Sequence, residues 1–153
     1  MFGFVHHLHY PGRELPLDDF IKEYRRLYQA GIDLFAEFNP CEIHDGHCYD
    51  GRREGGTDFC CSKCDHITDT GCTAEALYCK LWLCSSLRSK SYLPREFTEQ
   101  LNILIKQAGT LCRGRGGRRN LSDYVVMFYG KKGYRKWRVS EMRSNSISSQ
   151  QEG

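Results

Sequence analysis

Between Leu17 and Phe38, the residues Leu17, Phe20, Ile21, Tyr24, Leu27, Tyr28, Leu34, Phe35 and Phe38 recur at intervals of three and four. That spacing lines one face of a helix, and Pro40 marks its end. Asp18 and Asp19 fall in its first turn, where carboxylates suit the positive end of the helix dipole. A second helix is expected from Thr73, a candidate N-cap, to Leu87, with Leu77, Leu81, Cys84 and Leu87 on one face. A third is expected from Pro94 to Leu111, where Phe97, Leu101, Leu104, Ile105, Ala108 and Leu111 keep helical period and Pro94 suits the first turn.

The pattern fails elsewhere. Residues 1–16 are irregular, with Pro11, Pro16 and a scatter of His6, His7 and His9. Residues 39–72 hold six glycine or proline breaks (Pro40, Gly46, Gly51, Gly55, Gly56 and Gly71) and few aliphatics, so they cannot bury a core without staples. After Leu111, Gly114, Gly116 and Gly117 read as a flexible link. Two readings then compete: a short helix capped by Ser122, or a hairpin pairing "YVVMFY" with "YRKWRV" around "GKKG". From Ser144 the composition reads as a disordered tail. The expectation is a mainly α fold: a helical cysteine-cluster domain over 1–112, a basic aromatic segment over 113–143, and a tail over 144–153.

With 153 residues, 40% hydrophobic and 27% charged, the chain has the makings of one domain. Its net charge of +3 conceals a division. Residues 1–112 carry 12 Lys/Arg against 16 Asp/Glu, and residues 113–153 carry 10 against 3. No apolar run approaches the ~20 residues of a membrane-spanning helix. The opening "MFGFVHHLHYPGRELP" has neither the cationic nor the apolar region of a signal peptide. A cytoplasmic, reducing setting is therefore expected, and disulfides are rare in such settings. Phosphate-binding glycine loops, a nucleophile elbow and paired carboxylates suited to acid–base work are all missing from the pattern, so no reaction is assigned.

The cysteines change the picture most. Eight of nine fall between Cys41 and Cys84, leaving Cys112 apart. Scattered core thiols would not cluster so. A disulfide scaffold would need an oxidising compartment and separate partners for the adjacent Cys60 and Cys61. A thiolate-ligated centre needs neither. Four thiolates hold zinc or an iron–sulfur cluster, and Cys61-x2-Cys64 is a usual chelating pair. The candidate ligands are Cys41, Cys48, Cys60, Cys61, Cys64, Cys72, Cys79 and Cys84. In "CEIHDGHC", His44 and His47 either join the ligand set or face solvent around a glycine turn, and His66 lies beside Cys64. Leu77, Leu81 and Trp82 could give a redox cluster apolar shelter. That favours a [4Fe–4S] cluster, with zinc as the alternative.

The succession "CCSKC", "GC" and "CKLWLC" resembles the cysteine-rich family of zinc- or iron-chelating domains. There a run containing paired cysteines precedes a Gly-Cys and a closing pair of cysteines. The resemblance spans Cys60 to Cys84. It implies metal binding through Cys60, Cys61, Cys64, Cys72, Cys79 and Cys84, and in some relatives an iron–sulfur cluster serving a larger enzyme. Here "AEALY" stands where the family has Arg-Pro, and the Cys64–Cys72 spacing is short.

The other candidate site is the basic segment. Arg113, Arg115, Arg118, Arg119, Lys131, Lys132, Arg135, Lys136 and Arg138 are interleaved with Tyr124, Phe128, Tyr129, Tyr134 and Trp137, and Asp123 is the one acid among them. Cations grip phosphates and aromatic faces stack on bases, so Trp137 joins the cations as a candidate contact. The partner expected for 113–138 is nucleic acid or an acidic protein. The competing reading is a solvated basic tail, or one that docks on the acidic body of the same chain.

Overall fold

The computed structural model describes residues 15–40, 67–68, 71–83, 87 and 93–151. The fold is mainly helical. Its elements are α1 (Leu17–Phe38), β1 (Ile67–Thr68), β2 (Gly71–Cys72), α2 (Leu77–Lys80), α3 (Arg95–Leu111) and α4 (Leu121–Gln151). The two short strands pair antiparallel, Ile67 opposite Cys72 and Thr68 opposite Gly71.

The central helix is α1, with the bounds its apolar stripe predicted. Phe20, Ile21, Tyr24, Leu27, Gly31 and Leu34 are buried. Asn39 ends it in the left-handed conformation, returning its N–H to the Phe35 carbonyl at 2.8 Å. The other helices gather on this stripe. Toward its C-terminal end, Phe35 and Phe38 close on Phe97 of α3 with ring centroids 5.4 and 5.5 Å away. Toward its N-terminal end, Phe20 meets Phe128 of α4 edge-on at 5.7 Å, and Tyr24 meets Tyr124 at 6.0 Å. Midway lies Gly31, where a Cβ would stand 2.9 Å from Leu81 Cδ2 and 3.3 Å from the Lys80 carbonyl oxygen. Gly31 is therefore the point where α2 approaches the backbone of α1 too closely for a side chain.

The second helix is far shorter than expected. The N-cap position of α2 falls to Ala76, in extended conformation, and not to Thr73; one turn of helix, Leu77–Lys80, follows. The first helical N–H, of Leu77, is satisfied across the core by the Tyr24 hydroxyl at 3.0 Å. Leu81 and Leu83 are then buried on either side of Trp82, which is 52% exposed. Residues two apart lie about 200° apart around a helix, so a helix running unbroken through 81–83 would turn one of these leucines to solvent; Leu87, further on, is again helical and buried.

The link after α3 is an ordered turn. Cys112 returns its N–H to the Ala108 carbonyl, and Gly114, at φ 69°, returns its own to Gly109 at 2.8 Å, a helix-ending arrangement that favours glycine. Asn120, not Ser122, caps α4. Its side-chain oxygen accepts the Asp123 N–H at 3.1 Å, and its own N–H donates to the Asp123 carboxylate at 2.9 Å. This is a reciprocal capping box.

The choice between helix and hairpin falls to the helix. The helix α4 is broken once, at Gly130 (φ 70°, ψ −177°). Residues 121–129 pack into the core, with Tyr124 and Val125 fully buried; residues 131–151 run on at a new angle. Residues 144–151, where a disordered tail was expected, continue the helix to Gln151. Among the described residues no helix is long and apolar enough to cross a membrane.

Candidate functional site

Six of the eight candidate thiols, Cys41, Cys48, Cys60, Cys61, Cys64 and Cys84, lie outside the described residues, as do His44, His47 and His66. Cys72 is the last residue of β2, and Cys79 is half-buried on α2. The core holds α2 firmly: Leu77 and Leu81, on either side of Cys79 in sequence, are 0% and 2% exposed against α1. These leucines pack into the core, and Trp82 is exposed. Among the described residues no three His, Cys, Asp or Glu side chains gather as a metal cage.

Cys112, set apart in the sequence, proves to be fully buried. It sits among tyrosines. Tyr124 is within side-chain hydrogen-bonding reach of it, and the Tyr124 hydroxyl donates to the Arg115 carbonyl. Tyr24 stacks on Tyr28 at 6.5 Å, and the Tyr28 hydroxyl donates to the Ala74 carbonyl at 3.3 Å. Burial pushes the Cys112 thiol up to about 11, with the Tyr124 contact acting weakly the other way. Burial likewise raises the phenols of Tyr24, Tyr124 and Tyr78 above the ordinary range. A thiol so disposed is a packing residue and a poor nucleophile or ligand, because both roles require the thiolate. Sequence spacing gave no sign of it beyond its place beside Leu111.

These shifts carry a sign. An unfolded chain ionises its cysteines near pH ~8.5 and its tyrosines near pH ~10, while folded Cys112 keeps its proton up to about pH 11. In that window the unfolded state binds fewer protons, so stability falls as pH rises. The stabilisation is complete below about pH 8.5 and, for the thiol, gone above about pH 11. Thermal melts across this range should show a falling midpoint. Cys112→Ala should cost about 1–2 kcal/mol at neutral pH through the cavity it leaves and should flatten the alkaline decline. An unchanged alkaline slope in the variant would remove Cys112 from the account.

The basic segment divides in two. Arg113, Arg115, Arg118 and Arg119 are exposed on the turn before α4. There the Arg113 guanidinium lies 4.4 Å from the Phe128 ring centre, and Arg119 donates to the Gly116 carbonyl. Lys131, Lys132, Arg135, Lys136 and Arg138 are exposed beyond the Gly130 kink. The aromatic residues are placed otherwise. Trp137 is 9% exposed, and its indole N–H donates to Glu141 at 3.2 Å; Glu141 in turn pairs with Arg25 of α1 at 2.7 Å. Tyr134 meets Trp137 edge-on at 5.8 Å. Phe128 and Tyr129 press on Phe20, and the Tyr129 hydroxyl donates to the Leu15 carbonyl at 2.5 Å. Trp137 is thus a core anchor, and the interleaved rings form no stacking platform. The i, i+4 pair Trp137–Glu141 was the available signal.

No family model, curated protein or solved structure matches this chain.

Proposed function

We propose that this chain is a metal-binding protein in which the stretch 41–84 forms a cysteine-ligated centre, a [4Fe–4S] cluster, in a redox, regulatory or accessory role. The observation that carries the reading is the concentration of eight cysteines into 44 residues whose closing part is fixed to the core. Leu77 and Leu81 hold α2 against α1, so Cys79 comes from a rigid element while Cys72 comes from a paired strand. Ligands on held elements keep a site organised before metal arrives. The donor set fits: Cys60, Cys61, Cys64, Cys72, Cys79 and Cys84, with Cys41 and Cys48, supply more sulfur than the four thiolates a cluster or a zinc ion needs. When bound, an iron–sulfur cluster would supply one-electron chemistry. The protein's part is to hold the sulfurs and set their exposure.

Anaerobic purification with elemental analysis tests this. Brown protein with absorption near ~400 nm and about four irons per chain is the expected result. Colourless protein with stoichiometric zinc would replace the cluster by zinc, and protein without either metal would overturn the centre itself. Cys79→Ser is expected to lower the metal content, whereas Cys112→Ala should leave it unchanged.

A further inference from the structure

Beyond the Gly130 kink, the helix over residues 131–151 touches the body along one side only. At 3.6 residues per turn, Trp137 and Glu141 face α1. Lys132, Arg135, Val139 and Arg143 emerge on the opposite side, with Lys131, Arg138 and Lys136 along the two flanks; all seven are exposed. The only acid between Tyr124 and Gln151 is Glu141, and it is turned inward to Arg25 and Trp137. The outward face is therefore a cationic stripe.

We infer that this stripe binds the major groove of duplex DNA. Charge complementarity calls for a polyanion, and the geometry narrows it. From Lys132 to Arg143 the helix rises about 17 Å, a straight rod whose cations lie along both flanks as well as the crest. The major groove of B-form DNA is about 12 Å wide, accepts a helix and is walled by phosphates on both sides, so flanking cations reach both strands. Val139 on the crest offers an apolar contact to base edges. Single strands are disfavoured because they are held by base stacking, and the rings of this segment are turned onto Phe20, Leu15 and one another. The deep, narrow major groove of duplex RNA admits no helix. This inference does not depend on the metal centre.

Fluorescence anisotropy of the full chain against a labelled DNA duplex tests it, with a single strand of the same sequence, an RNA duplex and phosphatidylserine vesicles as competitors. Binding should be tightest to the DNA duplex and weaken with salt at a log–log slope of about −4, the mark of several phosphate contacts. R135E/R143E should reduce affinity by about tenfold or more, and the neutral pair R135Q/R143Q by a smaller factor. K22E/K106E, which makes the same change in net charge at exposed positions on α1 and α3, should change it by less than about threefold. Equal losses in the R135E/R143E and K22E/K106E variants would overturn the stripe. So would stronger competition by vesicles, RNA or the single strand, or failure of the unaltered chain to bind duplex at low salt.

Discussion

Phe97→Ala should reduce the free energy of unfolding by about 4 kcal/mol, the largest effect of any single truncation in the core. Phe97 is 0% exposed and is gripped by two rings of α1, Phe35 edge-on and Phe38 tilted, with centroids within 5.5 Å. Removing it takes away a large buried surface, leaves a cavity that two stiff helices cannot close, and costs both aromatic pairs. A domain of this size has about 5–15 kcal/mol in total, so the variant should sit close to its unfolding threshold. Urea titration followed by far-UV circular dichroism would show a lowered midpoint with an unchanged slope. A loss below about 1 kcal/mol would mean that α1 and α3 do not meet through this ring.

The second large effect belongs to Trp137→Ala, expected to cost about 3 kcal/mol and to act locally. Trp137 is the chief apolar anchor of the helix beyond the kink; Met142 and Ile147 further along are more than 60% exposed. A helix of about 20 residues rich in serine and lacking an apolar contact is marginal in water. Amide exchange should therefore rise over residues 131–151 and stay slow in α1 and α3. Arg25→Ala offers the contrast. Its pair with Glu141 is 2.7 Å long but open to solvent, with the arginine side chain 54% exposed, so it should cost no more than about 1 kcal/mol. If Arg25→Ala freed the helix as readily as Trp137→Ala, the anchor would be electrostatic.

What could be read from the chain depended on whether one element's own pattern held the answer. The stripe from Phe20 to Leu34 is long and regular, and α1 has the predicted bounds. Phe97, Leu101, Ala108 and Leu111 placed α3 to within a residue of its start. The failure at 73–87 has a different origin. Leu77, Leu81 and Leu87 share a helical face, but Leu83 is buried too, and its burial depends on the core it joins, not on the local pattern. The same holds for α2 itself, whose first N–H finds its partner in Tyr24, 53 residues earlier. Ser122 has a capping side chain, but the reciprocal pair Asn120–Asp123 beside it sets the start of α4. In the basic segment, composition showed the charge correctly. It could not show that Trp137 faces inward, since an isolated aromatic among cations suits a binding surface and a core edge equally well. Of the candidate metal ligands, Cys79 is the one whose side-chain placement the structure describes.

The break at Gly130 divides α4 into two kinds of sequence. Upstream, Tyr124 and Val125 are locked into the interior, and a change there is felt by the whole protein. Gly130 itself adopts a backbone conformation that any side chain would strain. Downstream of Glu141 every side chain described, from Met142 to Ser149, is exposed. Substitutions in that stretch fall outside the reach of stability selection, so its surface can be rewritten without threatening the body that carries it. Related chains should accordingly diverge freely beyond Arg143 while keeping the glycine, the tryptophan and the register between them.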